Sequence, residues 1–167
     1  YDFVPGEGAK KAVSRFLGAL ETRITPEITA RCSELEMSLD DILTIASVIE
    51  KEGGIPSEMG KVSSVIHNRL HETYNRLGCD ATVTYLNRYV EGYVEGGREK
   101  YNGYYNTYKC YGLPAGPICN PGMAAIKAAL YPEDTDYLFF CSDKENNYYY
   151  AHTYEEHVEN CKKAGII

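Results

Sequence analysis

The sequence has no tryptophan, no C-x-x-C pair, no block of basic residues and no initiator methionine. Nor does any apolar run approach the ~18 residues that a membrane-spanning helix needs, which removes the transmembrane class. With 17 Lys+Arg against 24 Asp+Glu the net charge is −7, and nothing is concentrated to neutralise a phosphate backbone, so nucleic acid is not an expected partner. No Cys/His cluster stands at zinc-finger spacing, so neither a metal nor a cofactor is expected. His67 and His71 are four apart, but Asn68-Arg69-Leu70 lie between them, without the glutamate of H-E-x-x-H. No serine or cysteine sits in a nucleophile-elbow sequence, so acyl-transfer chemistry is unsupported. A chain that opens at Tyr1 without a charged-then-apolar leader is expected to be processed or excised from a longer protein.

What is present is an ordinary globular composition, 44% hydrophobic and 25% charged in 167 residues, enough for one domain or one domain with a small appendage. The 16 tyrosines are unusual. Most serve core and surface, but a ring carrying a hydroxyl also suits a polar ligand with apolar faces, such as a sugar. Six cysteines, Cys32, Cys79, Cys110, Cys119, Cys141 and Cys161, fit either disulfides or small buried thiols.

Helical periodicity covers the first half. Ala12, Val13, Phe16, Leu17 and Leu20 form one stripe, and Thr25-Pro26 opens a second segment with Ile28, Cys32 and Leu35 on a face. Ser38 and Asp41 resemble a capping box for a helix through Ile42, Ile45, Ala46 and Ile49, ended by Gly53-Gly54. Ser57 is the expected cap of the next helix, running through Met59, Val62, Val65, Ile66 and Leu70 to about His71. Between Asn75 and Asn120 periodicity fails, and an irregular but ordered binding surface is expected. Asn120-Pro121 has the form of an N-cap with proline at the first helical position. A strand over residues 137–141, a hairpin partner over 148–151 and a Thr153/Glu156 capping box complete an α+β, mainly helical chain.

Chemistry concentrates at the end of the third helix. At about 100° per residue, Glu50 and Glu52 fall on opposite flanks of the apolar stripe, so a single cleft takes only one of them. Glu52 lies at the helix end, where unsatisfied carbonyls should raise its pKa, as a general acid requires. Two surface carboxylates at a helix end would look the same in sequence. Tyr104-Tyr105-Asn106-Thr107-Tyr108 and the stiff segment Gly112 to Pro121 could line a sugar groove or form a rigid connector. Asp80-Ala81-Thr82-Val83-Thr84-Tyr85 could supply polar groups from a strand or loop edge.

Together, Leu43 to Glu52, Val62 to Leu70, Asp80 to Val83, Tyr105 to Tyr108, Gly112 to Ile118 with Asn120-Pro121-Gly122, and Thr135 to Phe140 resemble the endolytic murein transglycosylase family, also called YceG-like. The resemblance covers roughly residues 40 to 160. It implies a lysozyme/transglycosylase-like catalytic domain with a short β-hairpin and a long ordered substrate loop. Residues 1–37 would be N-terminal packing helices and 38–167 the catalytic region, in one compact domain overall. The implied activity is non-hydrolytic cleavage of the MurNAc–GlcNAc bond to leave 1,6-anhydro-MurNAc ends, with Glu52 as acid and then base. Arg69, Asp80, Thr82, Tyr105, Asn106, Thr107, Tyr108 and Asn120 would contact the glycan, with Asn106 and Tyr108 meeting charge at C1. A muramidase-type hydrolase, needing a second carboxylate from Glu50 or Asp80, and a non-catalytic peptidoglycan-binding module are the alternatives.

By the same resemblance the partners are peptidoglycan strands and the synthases of elongation or division. Family members carry a membrane helix and a LysM-like module before this region, so the chain is expected to be an excised catalytic domain of a protein anchored on the outer face of the bacterial membrane. That setting permits disulfides, and Cys79 with Cys119, in loops expected to meet at the cleft, is the implied pair. The sequence departs from the family pattern in three places. Gly53 replaces a threonine, Tyr148 stands where a histidine is usual with His152 displaced, and residues 87–104 fit the pattern poorly.

Overall fold

A computed structural model describes residues 2–71 and 75–167. The chain divides into two compact units, Tyr1–Met37 and Ser38–Ile167.

The first unit holds α1 (Ala9–Glu21) and α2 (Pro26–Glu34). Thr25 caps α2 by accepting the Ile28 N–H, with Pro26 at the first helical position. Only α2 behaves as a packing helix, burying Ile28 and Cys32. The α1 stripe is exposed, Leu17 at 61% and Val13 at 54%. Two short helices have too little surface to enclose both stripes.

The second unit is built around α3 (Leu39–Glu52), which packs chiefly on α7 (Met123–Leu130) and also on α4 (Met59–His71). The Ser38/Asp41 capping box is present in both directions, at 3.1 and 2.9 Å. Burial of α3 extends well beyond the expected stripe, because Thr44, Ser47 and Val48 are enclosed along with Ile42, Ile45, Ala46 and Ile49. Ser47 is tolerated there because its hydroxyl is fully used, donating to the Thr44 carbonyl at 2.7 Å and accepting the Ile118 N–H at 2.9 Å. That second bond ties the Gly/Pro segment to the central helix. Each fully buried Ile or Val here contributes roughly 1.5–3 kcal/mol.

Several local expectations need correction. Ser57 lies in the turn before α4, which starts at Met59. Asn120-Pro121 precedes α7 without starting it, and Gly122 is the N-cap. The stretch from 75 to 120 holds three short helical pieces between irregular segments: α5 (Asp80–Tyr85) runs into a π-helical turn at Leu86–Val90, and α6 (Gly97–Tyr105) follows. Asp80 to Tyr85 is therefore a helix and not a strand edge. These pieces escape periodicity because they are short and are stabilised by tertiary contacts more than by their own propensity.

The hairpin forms as expected. β1 (Phe139–Ser142) pairs antiparallel with β2 (Tyr148–Ala151), Phe139 opposite Ala151 and Ser142 opposite Tyr148. Asp143 closes the turn by accepting the N–H groups of Glu145 and Asn147. Last comes α8 (Tyr154–Lys163), packed on both strands and capped by Thr153, which accepts the Glu156 N–H. The Glu156 carboxylate reaches back one residue further than a capping box requires, to the His152 N–H.

Candidate active site

Glu52 is the last residue of α3, and Gly53 turns the chain away from it. A Cβ at residue 53 would lie 2.9 Å from the Ile49 carbonyl oxygen, a contact that the family's threonine would have to relieve by moving the backbone. The Tyr148 phenol donates to the Glu52 carbonyl at 2.8 Å. An orphan carbonyl of the helix end is thereby satisfied.

The Glu52 side chain points at the start of α5, where Oε1 accepts the Ala81 N–H at 2.8 Å. Its pKa is raised, as expected, but the chief cause is burial. The negative charge of Asp80 adds to the rise and the Ala81 N–H opposes it. Burial, more than the expected helix terminus, accounts for the rise.

Asp80 accepts a hydrogen bond from the Tyr108 phenol at 2.7 Å. Burial and that carboxylate together push the Tyr108 pKa up, so its hydroxyl is retained as a donor through the physiological range. Gly78 takes φ +59°, the left-handed region that favours glycine, and turns the chain beside Arg69 and the Tyr108 ring. Arg69 donates to the carbonyls of Arg76 at 2.9 Å and Leu138 at 3.4 Å, and its guanidinium lies 5.2 Å from the centre of the Phe139 ring. Burial lowers its pKa.

Glu52, Arg69, Asp80 and Tyr108 thus converge on one cavity of about 280 Å³, whose lining also includes Phe139 and His157. The other nominated residues do not line it. Thr82 and Thr107 are fully enclosed, hydroxyl to hydroxyl at 3.0 Å, and Thr107 accepts the Cys79 N–H at 2.8 Å. They hold α5 and the Tyr108 segment together and are closed to solvent. Asn106 ends α6 and is also buried, its side chain spent on the Tyr108 N–H and on Asn102. Asn106 is thus turned away from the cavity, whereas Tyr108 lines it. Tyr105 packs its ring on Tyr85, centroids 5.2 Å apart, and Asn120 is exposed ahead of α7.

Glu50 leaves on the other flank and accepts the Gly122 N–H at 3.1 Å. The implied Cys79–Cys119 disulfide is absent: all six cysteines are free. Cys79 is buried before α5, whereas Cys119 donates to the Ser47 carbonyl on α3. His67 is a core histidine, with Nε2 2.9 Å from the Ala129 carbonyl oxygen. His152 pairs with Asp136 at 3.1 Å.

Sequence reasoning missed Phe139 and His157, since a hairpin residue and a helix residue declare no shared cavity until they are packed. Tyr148 was noticed only as a departure from a pattern. His157 stands with Cys141 and Cys161, three side chains able to offer metal ligands, in the lining of the same cavity.

A family model described as YceG-like matches residues 1–163. The chain belongs to the YceG-like family. It is 37% identical over 122 residues to an endolytic murein transglycosylase of Bacillus subtilis, a match covering 73% of this chain and 34% of that protein. A Streptococcus pneumoniae protein of the same name is 27% identical over 154 residues, 89% of this chain and 28% of the relative. This YceG-like chain therefore spans about a third of the length of the curated relatives it matches. A crystallised yceG-like protein of Listeria monocytogenes superposes with a TM-score of 0.80 at 32% identity, over 96% of this chain and 52% of that one.

Proposed function

We propose that this chain is the catalytic part of an endolytic lytic transglycosylase that cleaves the MurNAc–GlcNAc bond of peptidoglycan without water. The carrying observation is the Glu52 carboxyl, kept towards its neutral form by burial and facing a cavity beside Asp80 and Tyr108. Relatives named endolytic murein transglycosylase support the substrate class. A long helix ending in the acid, with a small hairpin bordering the cavity, suits a lysozyme-like arrangement.

In this reading Glu52 gives its proton to the bridging oxygen as the bond to C1 breaks, and the GlcNAc side leaves as an alcohol. The Glu52 carboxylate then takes the proton of the muramyl C6 hydroxyl as that oxygen bonds to C1. A 1,6-anhydro end forms and the acid is restored. The Ala81 N–H steadies the carboxylate between the two steps, and Tyr108 with Asp80 offers polar contacts to the sugar where positive charge develops. Arg69, held by backbone carbonyls, shapes the wall.

Asp80 favours a second reading. It is a second carboxylate close to the first, and a hydrolase would use it to hold or activate the other reactant. Product mass separates the two: hydrolysis adds one water and transglycosylation none. Glu52→Gln should abolish digestion of purified sacculi while leaving glycan binding intact. Unchanged digestion removes Glu52 from the mechanism, and wild-type protein that binds glycan without cutting it makes the chain a recognition module. The full-length protein would act outside the cytoplasmic membrane beside peptidoglycan synthases. Among the described residues, no helix is long and apolar enough to cross a membrane.

A further inference from the structure

The strands and the last helix assemble a group that the glycan chemistry does not use. Cys141 comes from β1, while His157 and Cys161 are one helical turn apart on α8. Their ligand atoms all lie within 4.8 Å of one another. Zinc bound by sulfur at about 2.3 Å and by imidazole at about 2.0–2.1 Å in a tetrahedron sets sulfur and nitrogen about 3.6 Å apart. Cys161 Sγ and His157 Nε2 are 3.6 Å apart.

We propose that Cys141, His157 and Cys161 bind one thiophilic divalent cation, zinc by the chemistry of the donors, with the fourth coordination position left to water from the cavity that Glu52 also lines.

The surroundings fit such a site. Both cysteines are buried, with Ala164 and the Tyr149 ring packed against them, while the cavity they also line admits the water that the fourth position needs. The His157 ring is stacked on Phe139, centroids 5.3 Å apart and planes 24° from parallel, which fixes the orientation of its nitrogens before a metal arrives. Arg69 is the charged group that bears on His157. A divalent ion with two thiolates and a neutral imidazole has no net charge, so that guanidinium does not oppose it. Each ion taken up releases two thiol protons to the buffer and leaves two sulfur–metal bonds and one nitrogen–metal bond. The bound ion would fasten α8 to β1 and so hold one wall of the cavity. Spacing along the chain disfavoured any metal site because Cys141 belongs to a different element from the other two.

The test uses the whole chain, reduced and stripped with a chelator, then titrated with cobalt(II) and with zinc. Cobalt should give tetrahedral visible bands and a near-ultraviolet thiolate charge-transfer band that saturate at one ion per chain, and zinc should bleach them. Cys141→Ser and Cys161→Ser should each remove the charge-transfer intensity and weaken zinc by more than the roughly 10–100-fold that losing a supporting contact costs. Cys110→Ser should change neither. If a serine variant fails to fold, alkylation of wild-type protein in urea just below its unfolding transition, where local opening reaches the buried thiols, decides: zinc should slow reaction at Cys141 and Cys161 and leave Cys110 unchanged. Absence of cobalt bands, bands that survive both serine variants, or no zinc-dependent shielding overturns the proposal. So does a Cys141–Cys161 disulfide accompanied by no metal uptake after reduction.

Discussion

The two flanks of the last turn of α3 carry the same side chain, each partly buried but against different partners. On one, Glu50 reaches past the helix to the Gly122 N–H and serves as a tie to the start of α7. On the other, Glu52 is covered by α5 and the Tyr148 end of the hairpin, and burial raises its pKa. Helix geometry separates the two carboxylates, but it does not say which becomes an acid. That depends on which flank receives a lid, because desolvation favours the neutral form of a carboxyl.

The largest effect that should distinguish the flanks is on catalysis. Glu52→Gln should lower the rate of glycan cleavage by about 10²–10⁴-fold, the usual worth of a general acid–base group, measured by release of muropeptide products. Glu50→Gln should leave that rate within a factor of a few, and a full loss there would reverse the assignment.

Next in size is the support beneath both flanks. Ile49 sits fully enclosed in the same turn, and Ile49→Ala should cost about 2–5 kcal/mol in chemical denaturation, an effect on folding that both carboxylates share.

A finer separation comes from pH. Since Glu52 must be protonated to act, cleavage should fall as pH rises through its raised pKa. Asp80→Asn removes the like charge that contributes to the rise, so the falling limb should move to lower pH. An unmoved limb would mean that Asp80 does not act on Glu52.

The smallest expected effect is on stability. A carboxyl whose pKa is higher folded than unfolded contributes fully below the unfolded value and loses that contribution as pH climbs through the folded one. Glu52→Gln keeps an acceptor for the Ala81 N–H and cannot ionise. It should therefore melt above the wild type at neutral pH and converge with it in acid.

Much of the frame was readable along the chain. The Ser38/Asp41 box, the Thr25 and Thr153 caps and the 148–151 return strand are encoded by residues close to one another, so local chemistry suffices to place them. The stretch from 75 to 120 was not, because helices of six to nine residues there carry no long period and owe their form to contacts made elsewhere. The candidate site divides in the same way. Glu52, Asp80 and Tyr108 were recognisable by type and pattern, whereas Thr82, Thr107 and Asn106 belong to similar motifs and turn inward. Polarity in a loop does not reveal whether a hydroxyl faces solvent or a second hydroxyl 3.0 Å away.

By itself, the sequence determined the helical character, the position of Glu52 at the end of α3 and the division of Glu50 from Glu52, since these follow from periodicity and capping within a few residues. Only the tertiary structure decided that Glu52 is the covered carboxyl, that Tyr148 meets its backbone and that Cys141 lies beside His157 and Cys161. Burial and proximity are properties of segments distant in sequence, and they exist only once those segments have packed.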